Sequence, residues 1–290
     1  MLRKCLFPAA GYGTRFLPAT KNIPKEMMPI VDRPLIHYAV EEAMDAGFAH
    51  MAIITGRGKT AIPNYFDIAY ELEDQIRGTD KEARLTPIRN IMEKCTFTFT
   101  RQKEMRGLGH AVLTGEHLIG NEPFAVVLAD DLCTGERDGV LAQLKQVFLQ
   151  HQCSVVAVEE VPIADTKNYG VIAGTMIGPG LYRVNEMVEK PDPAQAPSNL
   201  AIIGRYILTP DIFDILRRTK PGKNGEIQIT DAIAEQARQG RVLALRFRGR
   251  RFDCGSIDGF VEATNFFYNR QKNRGLSEGP APTVATRGGQ

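Results

Sequence analysis

The sequence predicts an α/β fold, a mostly parallel mixed sheet flanked by helices and joined to a smaller β-rich portion, on three observations. Short β-rich apolar runs alternate with helical patterns through the first 160 residues, and strand–helix–strand repetition lays successive strands parallel with helices on both faces. Beyond about Pro162 the rhythm changes to paired strands around glycine turns. Finally, a chain of 290 residues is long enough to bury about 75% of its unfolded surface, so a normal core forms without disulfide or metal staples.

The elements follow in order. Strand-type runs lie at 4–9, 51–55, 96–101, 124–129 and 154–159. The clearest helix spans 34–47, where Leu35, Ile36, Ala39, Val40, Ala43 and Met44 form one stripe, with Pro34 in the first turn and Gly47 at the stop. A second helical pattern covers 138–150. In the later portion, 170–176 and 181–190 read as strands paired through the Gly178-Pro179-Gly180 turn, and another strand covers 200–208 after a proline-rich stretch. Helices at 211–218 and 229–239, a strand at 242–247 and a last helix at 257–271 complete the pattern. The tail 275–290, rich in Gly, Pro, Ala and Thr, has no apolar stripe and is expected to be disordered.

Composition narrows the function. With 36 Lys+Arg against 34 Asp+Glu and a formal charge of +2, the chain has no footprint for nucleic acid or an anionic membrane. No apolar run reaches the ~18 residues of a membrane span. Five scattered cysteines, Cys5, Cys95, Cys133, Cys153 and Cys254, form no CxxC pair, and no signal-peptide pattern follows Met1. Reduced thiols in a cytoplasm are the expectation.

The first strand runs into the stretch FPAAGYGTRFLPATKNIPKEMMPI, residues 7–30. Gly11 and Gly13 flank Tyr12, then Thr14, Arg15, Lys21 and Lys25 follow, with Pro18, Pro24 and Pro29 preventing a long helix. A bare backbone brings N–H groups close to an anion. Arg15 adds a planar charged fork and Lys25 a point charge. Two familiar phosphate loops are excluded by spacing. A dinucleotide fingerprint needs glycine where Phe16 stands, and Gly58-Lys59-Thr60 lacks a P-loop's leading glycine because Ile53 holds that place. The segment 56–60 reads instead as a loop that starts a helix. A G-x-G-x-R alone is more often a surface turn; its position directly after the first strand of an α/β sheet favours a ligand site.

Other candidates have a functional and a bland reading. Gln102 ends a strand and Gly107-Leu108-Gly109-His110 opens a helix. Gln102 suits the edge of a pyrimidine but by itself reads as an exposed polar residue, and His110 as a helix-start packing residue. Asp130 and Asp131 close the apolar run PFAVVLA; Mg²⁺ needs only one or two carboxylates plus phosphate oxygens, and adjacent carboxylates on a strand point to opposite faces. Both could equally serve as turn or capping residues, as could Asp253. Glu189-Lys190 reads alone as a solvated pair, and Gly170 and Gly204 as strand or bulge glycines. Arg246, Arg248 and Arg250 alternate as if on one strand, sharing a solvated or subunit-contact face.

Together these residues resemble a family. The stretch FPAAGYGTRFLPATKNIPKEMMPIVDRPLI is similar to the N-terminal signature of the sugar-1-phosphate nucleotidylyltransferases. ELEDQIRG, TRQ, GLGHAV, VVLADDL, NYGVI, VEKP, APSNL, GRYIL, QITDAI and RFDCGS follow in the family's order, up to about Arg270. KEM with Glu26, and GLGH, are similar to the uridylyl branch; the thymidylyl branch usually carries SKQLLP at the first of these. The resemblance implies a Rossmann-like fold of the nucleotide-diphospho-sugar transferase type, in one domain over 1–274 with a nucleotide-binding half (about 1–160) and a sugar-binding half (about 161–274).

It also implies uridylyl transfer from UTP to glucose 1-phosphate, with Mg²⁺, in a homodimer or homotetramer. By the same resemblance, Ala10, Gly11, Gly13, Thr14, Arg15 and Lys25 hold the nucleotide, and Gln102 and Gly107 recognise uracil. Asp130 and Asp253 are the metal ligands, Asp131 a spectator. Gly170, Glu189, Lys190 and Gly204 bind the sugar phosphate. Ile257 stands where many relatives have lysine. A thymidylyl transferase and a regulatory paralogue are the alternatives; the intact Thr14-Arg15 speaks against the second.

Overall fold

The computed structural model describes residues 2–222 and 225–277. The first half contains β1 (Lys4–Ala9), a tiny hairpin of β2 (Pro29–Ile30) and β3 (Arg33–Pro34), α1 (Leu35–Asp45) and β4 (His50–Thr55). Short helices α2 (Ala61–Tyr65), α3 (Tyr70–Ile76) and α4 (Thr86–Lys94) precede β5 (Thr96–Arg101). Then come α5 (Leu108–Thr114), α6 (Glu116–Ile119), β6 (Phe124–Val127), β7 (Asp131–Gly135), α7 (Val140–His151) and β8 (Ser154–Glu160). The second half comprises β9 (Gly170–Gly178), β10 (Leu181–Glu189), β11 (Leu200–Leu208), α8 (Ile212–Arg218), α9 (Ile229–Arg238), β12 (Val242–Arg246), β13 (Gly249–Asp253) and α10 (Ile257–Ser277).

Nine strands form one mixed sheet in the order β5-β4-β1-β6-β11-β8-β12-β10-β9. Strands β5, β4, β1 and β6 are parallel throughout, as are β8 and β12. Strand β11 runs antiparallel to both β6 and β8, and β9–β10 is an antiparallel hairpin. From β1 the chain crosses to β4 on one side and later to β6 on the other, which opens a crevice at the carboxyl end of β1.

Alternation along the strands builds the core on both faces. Leu6 faces one cluster with Ile54, Val126 and Val156 beneath α5, α8 and α9. Its neighbours Cys5 and Phe7 face the other, with Ile53, Ala125 and Val127 beneath α1 and α7. This is the period-2 pattern of a sheet covered on both sides. The α1 stripe is buried as its spacing predicts, with Met44 half-buried at its end, and Gly47, at φ +78°, closes the helix. Phe48 N donates to Ala43 O at 3.0 Å and Gly47 N to Met44 O at 2.8 Å, the paired hydrogen bonds of a Schellman stop.

Three features differ from the expectation. Strands β7 and β13 form a separate two-stranded ribbon with Asp131 opposite Asp253, a pairing too distant in sequence to leave a local pattern. Arg246, Arg248 and Arg250 consequently do not share a strand: Arg246 ends β12 and Arg250 lies on β13. Gly249 forces the break, since at φ +151° its Cβ would sit 2.0 Å from Thr134 O. The last helix continues to Ser277, past the expected stop at Gln271, and 278–290 lie outside the described residues. No helix among the described residues is long and apolar enough to cross a membrane.

Candidate active site

The loop after β1 is a chain of three 3₁₀ turns, Thr14–Phe16, Ala19–Lys21 and Lys25–Met27, because its prolines forbid anything longer. Gly13 takes the left-handed conformation at φ +65°, and a Cβ there would press to 3.0 Å on Lys25 Cβ. Glycine therefore lets the two ends of the loop close on each other. Thr20 Oγ1 donates to Gly13 O at 2.8 Å. Phe16, in the place of the glycine a dinucleotide loop needs, packs edge-on to Phe260 at 5.6 Å. Arg15 Nη1 donates to Gly255 O at 3.2 Å, so the loop docks on the turn after β13.

Lys25 Nζ meets Asp130 Oδ2 at 2.5 Å, with side chains 23% and 27% exposed. Burial works against ionised Asp130, but the charge and hydrogen bond of Lys25 outweigh it and hold the carboxyl below the usual carboxylate range. The next residue, Glu26, is 1% exposed and receives both oxygens' hydrogen bonds from Lys59, at 3.0 and 2.8 Å. Burial raises Glu26 and lowers Lys59, each restrained by the other's charge. Glu26 thus anchors the KEM turn to the 56–60 loop rather than facing a ligand. That loop does start a helix, α2.

Asp130 lies in the turn before β7 and Asp131 opens that strand, and in place of the expected spectator Asp131 is tied into the protein. Its Oδ1 accepts from Arg251 Nε at 2.6 Å and its Oδ2 from Gly204 N at 2.7 Å. Arg251 also reaches Glu159 at 2.6 Å and lies over the Tyr169 ring. Beneath this knot Arg205 is completely buried. It donates to Glu42 Oε2 at 3.0 and 2.8 Å, and to the carbonyls of Leu128, Gly204 and Asp131. A buried charge so fully satisfied rigidifies the corner that presents Asp130.

Asp253 approaches from the ribbon. A Cβ added at Gly255 would lie 3.0 Å from Asp253 Oδ1, 3.3 Å from Arg15 Nη1 and 3.3 Å from Asp130 Oδ2. The two carboxylates and the arginine therefore surround one small space. Among the described residues no group of three or more His, Cys, Asp or Glu is arranged as a complete metal cage. Two convergent carboxylates with room for other oxygens match the way Mg²⁺ is usually shared between protein and phosphate.

On the opposite wall Glu189 Oε2 accepts from Thr230 Oγ1 at 2.6 Å, and Lys190 Nζ lies 3.5 Å from Glu189 Oε1. Lys190 has φ +47°, a left-handed conformation uncommon for a residue with a side chain. Its N–H is tied to Tyr169 O at 2.9 Å. A Cβ at Gly170 would come within 3.2 Å of Glu189 Oε2 and 2.9 Å of Thr230 Oγ1. Arg15, Asp130, Gly170, Glu189, Lys190, Gly204 and Asp253 all line one cavity of about 590 Å³. A slightly larger cavity, about 610 Å³ between α1, α7 and α10, contains none of the predicted site residues; the convergent charged groups make the first the candidate site.

Ala10, Gly11, Gly13, Thr14, Lys25, Gln102 and Gly107 do not line that cavity; the loop residues follow β1, and Gln102 and Gly107 follow β5. Gln102 is 5% exposed rather than open to solvent. Gly107, at φ +90°, lies against Glu226 and Ile227, where a Cβ would sit 2.8 Å from Glu226 Cβ; that packing alone demands glycine. Gly204 is similarly confined by Leu128 and Asp131. Tyr169, Thr230 and Arg251 also line the cavity; they lie in NYGVI, QITDAI and RFDCGS, stretches that carry the resemblance without giving these three a role. Arg251 stands two residues before Asp253 on the same strand face, and that parity was the available signal. Ile257 is exposed at the start of α10.

Residues 6–270 match the family model for nucleotidyl transferases. A UTP–glucose-1-phosphate uridylyltransferase of Pseudomonas aeruginosa is 64% identical over 269 residues, spanning 92% of this chain and 96% of that one. A crystal structure of apo UDP-glucose pyrophosphorylase superposes with a TM-score of 0.91 at 61% identity, covering 93% of this chain and 100% of that one. A UDP-glucose pyrophosphorylase complexed with UDP-glucose gives 0.88 at 59% identity, with the same coverage.

Proposed function

The chain belongs to the nucleotidyl transferase family, and we propose how its cleft carries out the reaction of its uridylyl branch. It transfers the uridylyl group of UTP to α-D-glucose 1-phosphate, giving UDP-glucose and pyrophosphate. The observation that carries the assignment of roles is the convergence on one cavity of Arg15, Asp130 and Asp253 with Glu189 and Lys190.

The reaction brings two anions together. At ~4 Å and an effective dielectric of ~20, each pair of unit charges costs about 4 kcal/mol. The phosphate oxygen of glucose 1-phosphate is already a competent nucleophile, so the protein's work is positioning and charge compensation. In our reading Arg15 and Lys25 hold the triphosphate, with the N–H groups of Gly11, Gly13 and Thr14 beside it. Lys190 holds the sugar phosphate, and Glu189 accepts hydrogen bonds from sugar hydroxyls beside Gly170 and Gly204. Ala10, Gln102 and Gly107 surround the uracil. The attacking oxygen then approaches the α-phosphorus in line, opposite the departing pyrophosphate.

Asp130 and Asp253 are the residues that would hold a divalent cation, which we assign as Mg²⁺. When bound, it neutralises charge on the phosphate oxygens. Assembly as a homodimer or homotetramer, in the cytoplasm, belongs to the same reading.

The test is initial-rate pyrophosphate release with glucose 1-phosphate, Mg²⁺ and either UTP or dTTP. Release with UTP well above dTTP is expected. Release with neither, from protein that still binds UTP, would overturn the enzymatic reading in favour of a regulatory paralogue.

A further inference from the structure

We propose that His110 is a positioning residue that locks the Gln102 amide with its carbonyl oxygen toward the base, so that the site accepts a pyrimidine with an N3–H donor and rejects cytosine. This rests on the uridylyl reading above and deepens it, since neither the cavity nor the loop explains how one pyrimidine is told from another.

The orientation of the amide follows from its partners. Gln102 Nε2 lies 3.2 Å from Gly107 O, and a backbone carbonyl only accepts, so the amide nitrogen must face it. The same Nε2 lies 2.9 Å from His110 Nδ1. Both amide hydrogens are thereby engaged, and Nδ1 must be the acceptor, which requires it unprotonated. Burial, then Arg106, lowers the His110 pKa, with Glu104 opposing, so the neutral ring is favoured. No donor among the described residues is hydrogen-bonded to Gln102 Oε1. No fully buried side-chain oxygen among them lacks a partner, so Oε1 keeps some exposed surface.

An acceptor alone facing the base selects its partner. The uracil Watson–Crick edge offers one donor, N3–H, flanked by two carbonyls. Cytosine presents a bare N3 at that place, so two acceptors would oppose each other. A flipped amide would reverse the preference, and His110 together with Gly107 opposes the flip: turned over, Oε1 would face Gly107 O, and a bare Nδ1 as well unless the ring exchanged tautomers. Thymine shares the uracil edge, so this lock does not separate UTP from dTTP.

The experiment compares wild type, His110→Leu and His110→Asn with UTP and CTP, by steady-state pyrophosphate release and by calorimetric binding. Losing one of the two hydrogen bonds that hold the amide, worth about 1 kcal/mol, predicts a rise of about fivefold in KM for UTP in His110→Leu. The kcat should stay within about twofold, and the UTP-over-CTP preference should fall by about tenfold. His110→Asn, whose Oδ1 can take the place of Nδ1, should restore both to within about threefold. Unchanged preference in His110→Leu, or a His110→Asn as impaired as His110→Leu, overturns the lock. Absence of turnover in the wild type would remove the uridylyl reading instead, and the binding arm would still read the UTP-over-CTP preference in all three proteins.

Discussion

The two walls of the cleft are built differently. On the loop wall, where we place the nucleotide, the cations come from eleven consecutive residues, Arg15 to Lys25, and they are already engaged: Lys25 with Asp130, and Arg15 with the Gly255 carbonyl. On the opposite wall, where we place the sugar phosphate, Glu189 and Lys190 meet Thr230, Tyr169 and Gly170, and the Lys190 side chain is 44% exposed. The difference teaches that the loop wall is organised before a ligand arrives. The opposite wall instead holds its cation loosely, against the adjacent Glu189 at 3.5 Å, where an incoming phosphate can compete for it. Preorganised groups should govern turnover, and the freer cation should govern affinity.

The sharpest way to break this comparison is Arg15→Ala. It should lower kcat by about 10²–10³-fold while leaving thermal stability nearly unchanged, because Arg15 makes one hydrogen bond to the protein. Near-normal kcat would deny the loop its part in catalysis. Next in size is Arg205→Met, which leaves Glu42 buried without its partner. A loss of about 3–5 kcal/mol of stability in chemical denaturation is expected, and a loss under 1 kcal/mol would show that the corner beneath Asp130 does not depend on it.

Asp130→Asn should shift the Mg²⁺ dependence of the rate to higher concentration by about tenfold, on the order of one lost carboxylate ligand; an unchanged titration removes Asp130 from the metal site. Lys190→Ala sharpens the contrast from the other wall. It should raise KM for glucose 1-phosphate by about tenfold, the scale of a charge-assisted hydrogen bond, with a smaller change in kcat than Arg15→Ala.

The smallest effect concerns pH. The folded His110 pKa lies below its ordinary value of 6.5, so the unfolded chain binds the proton more readily. Its contribution to stability is present above that value and is lost as pH falls through the folded pKa. Stability curves between pH 5 and 7 should therefore slope less in His110→Asn than in wild type. Equal slopes would place the wild-type dependence elsewhere.

Much of the scaffold was legible in the sequence because it is periodic. Five of the eight strands of the first half were written as short apolar runs and the α1 stripe in spacings of three to four residues, and Gly47 marked the helix stop. The nucleotide loop was legible because its glycines, prolines and cations are contiguous. In the sequence Glu26 carries a resemblance to the uridylyl branch; in the structure it forms a buried ion pair with Lys59, a partner that nothing near position 26 encodes. Gln102 read as exposed because burial depends on what covers the end of β5, which its own neighbours do not encode.

By itself, the sequence determined the alternation of strands and helices, the two-faced core and the chemistry of the loop after β1, since each depends on residues close together in the chain. Only the tertiary structure decided that β7 pairs with β13, that Asp130 meets Lys25 while Asp131 meets Arg251, and that Arg246 and Arg250 part company at Gly249. It alone turned Gln102 between Gly107 and His110. The physical reason is common to all of these. Each joins groups through space by a register or a hydrogen bond, and a one-residue shift along a strand would send the same side chain to the opposite face.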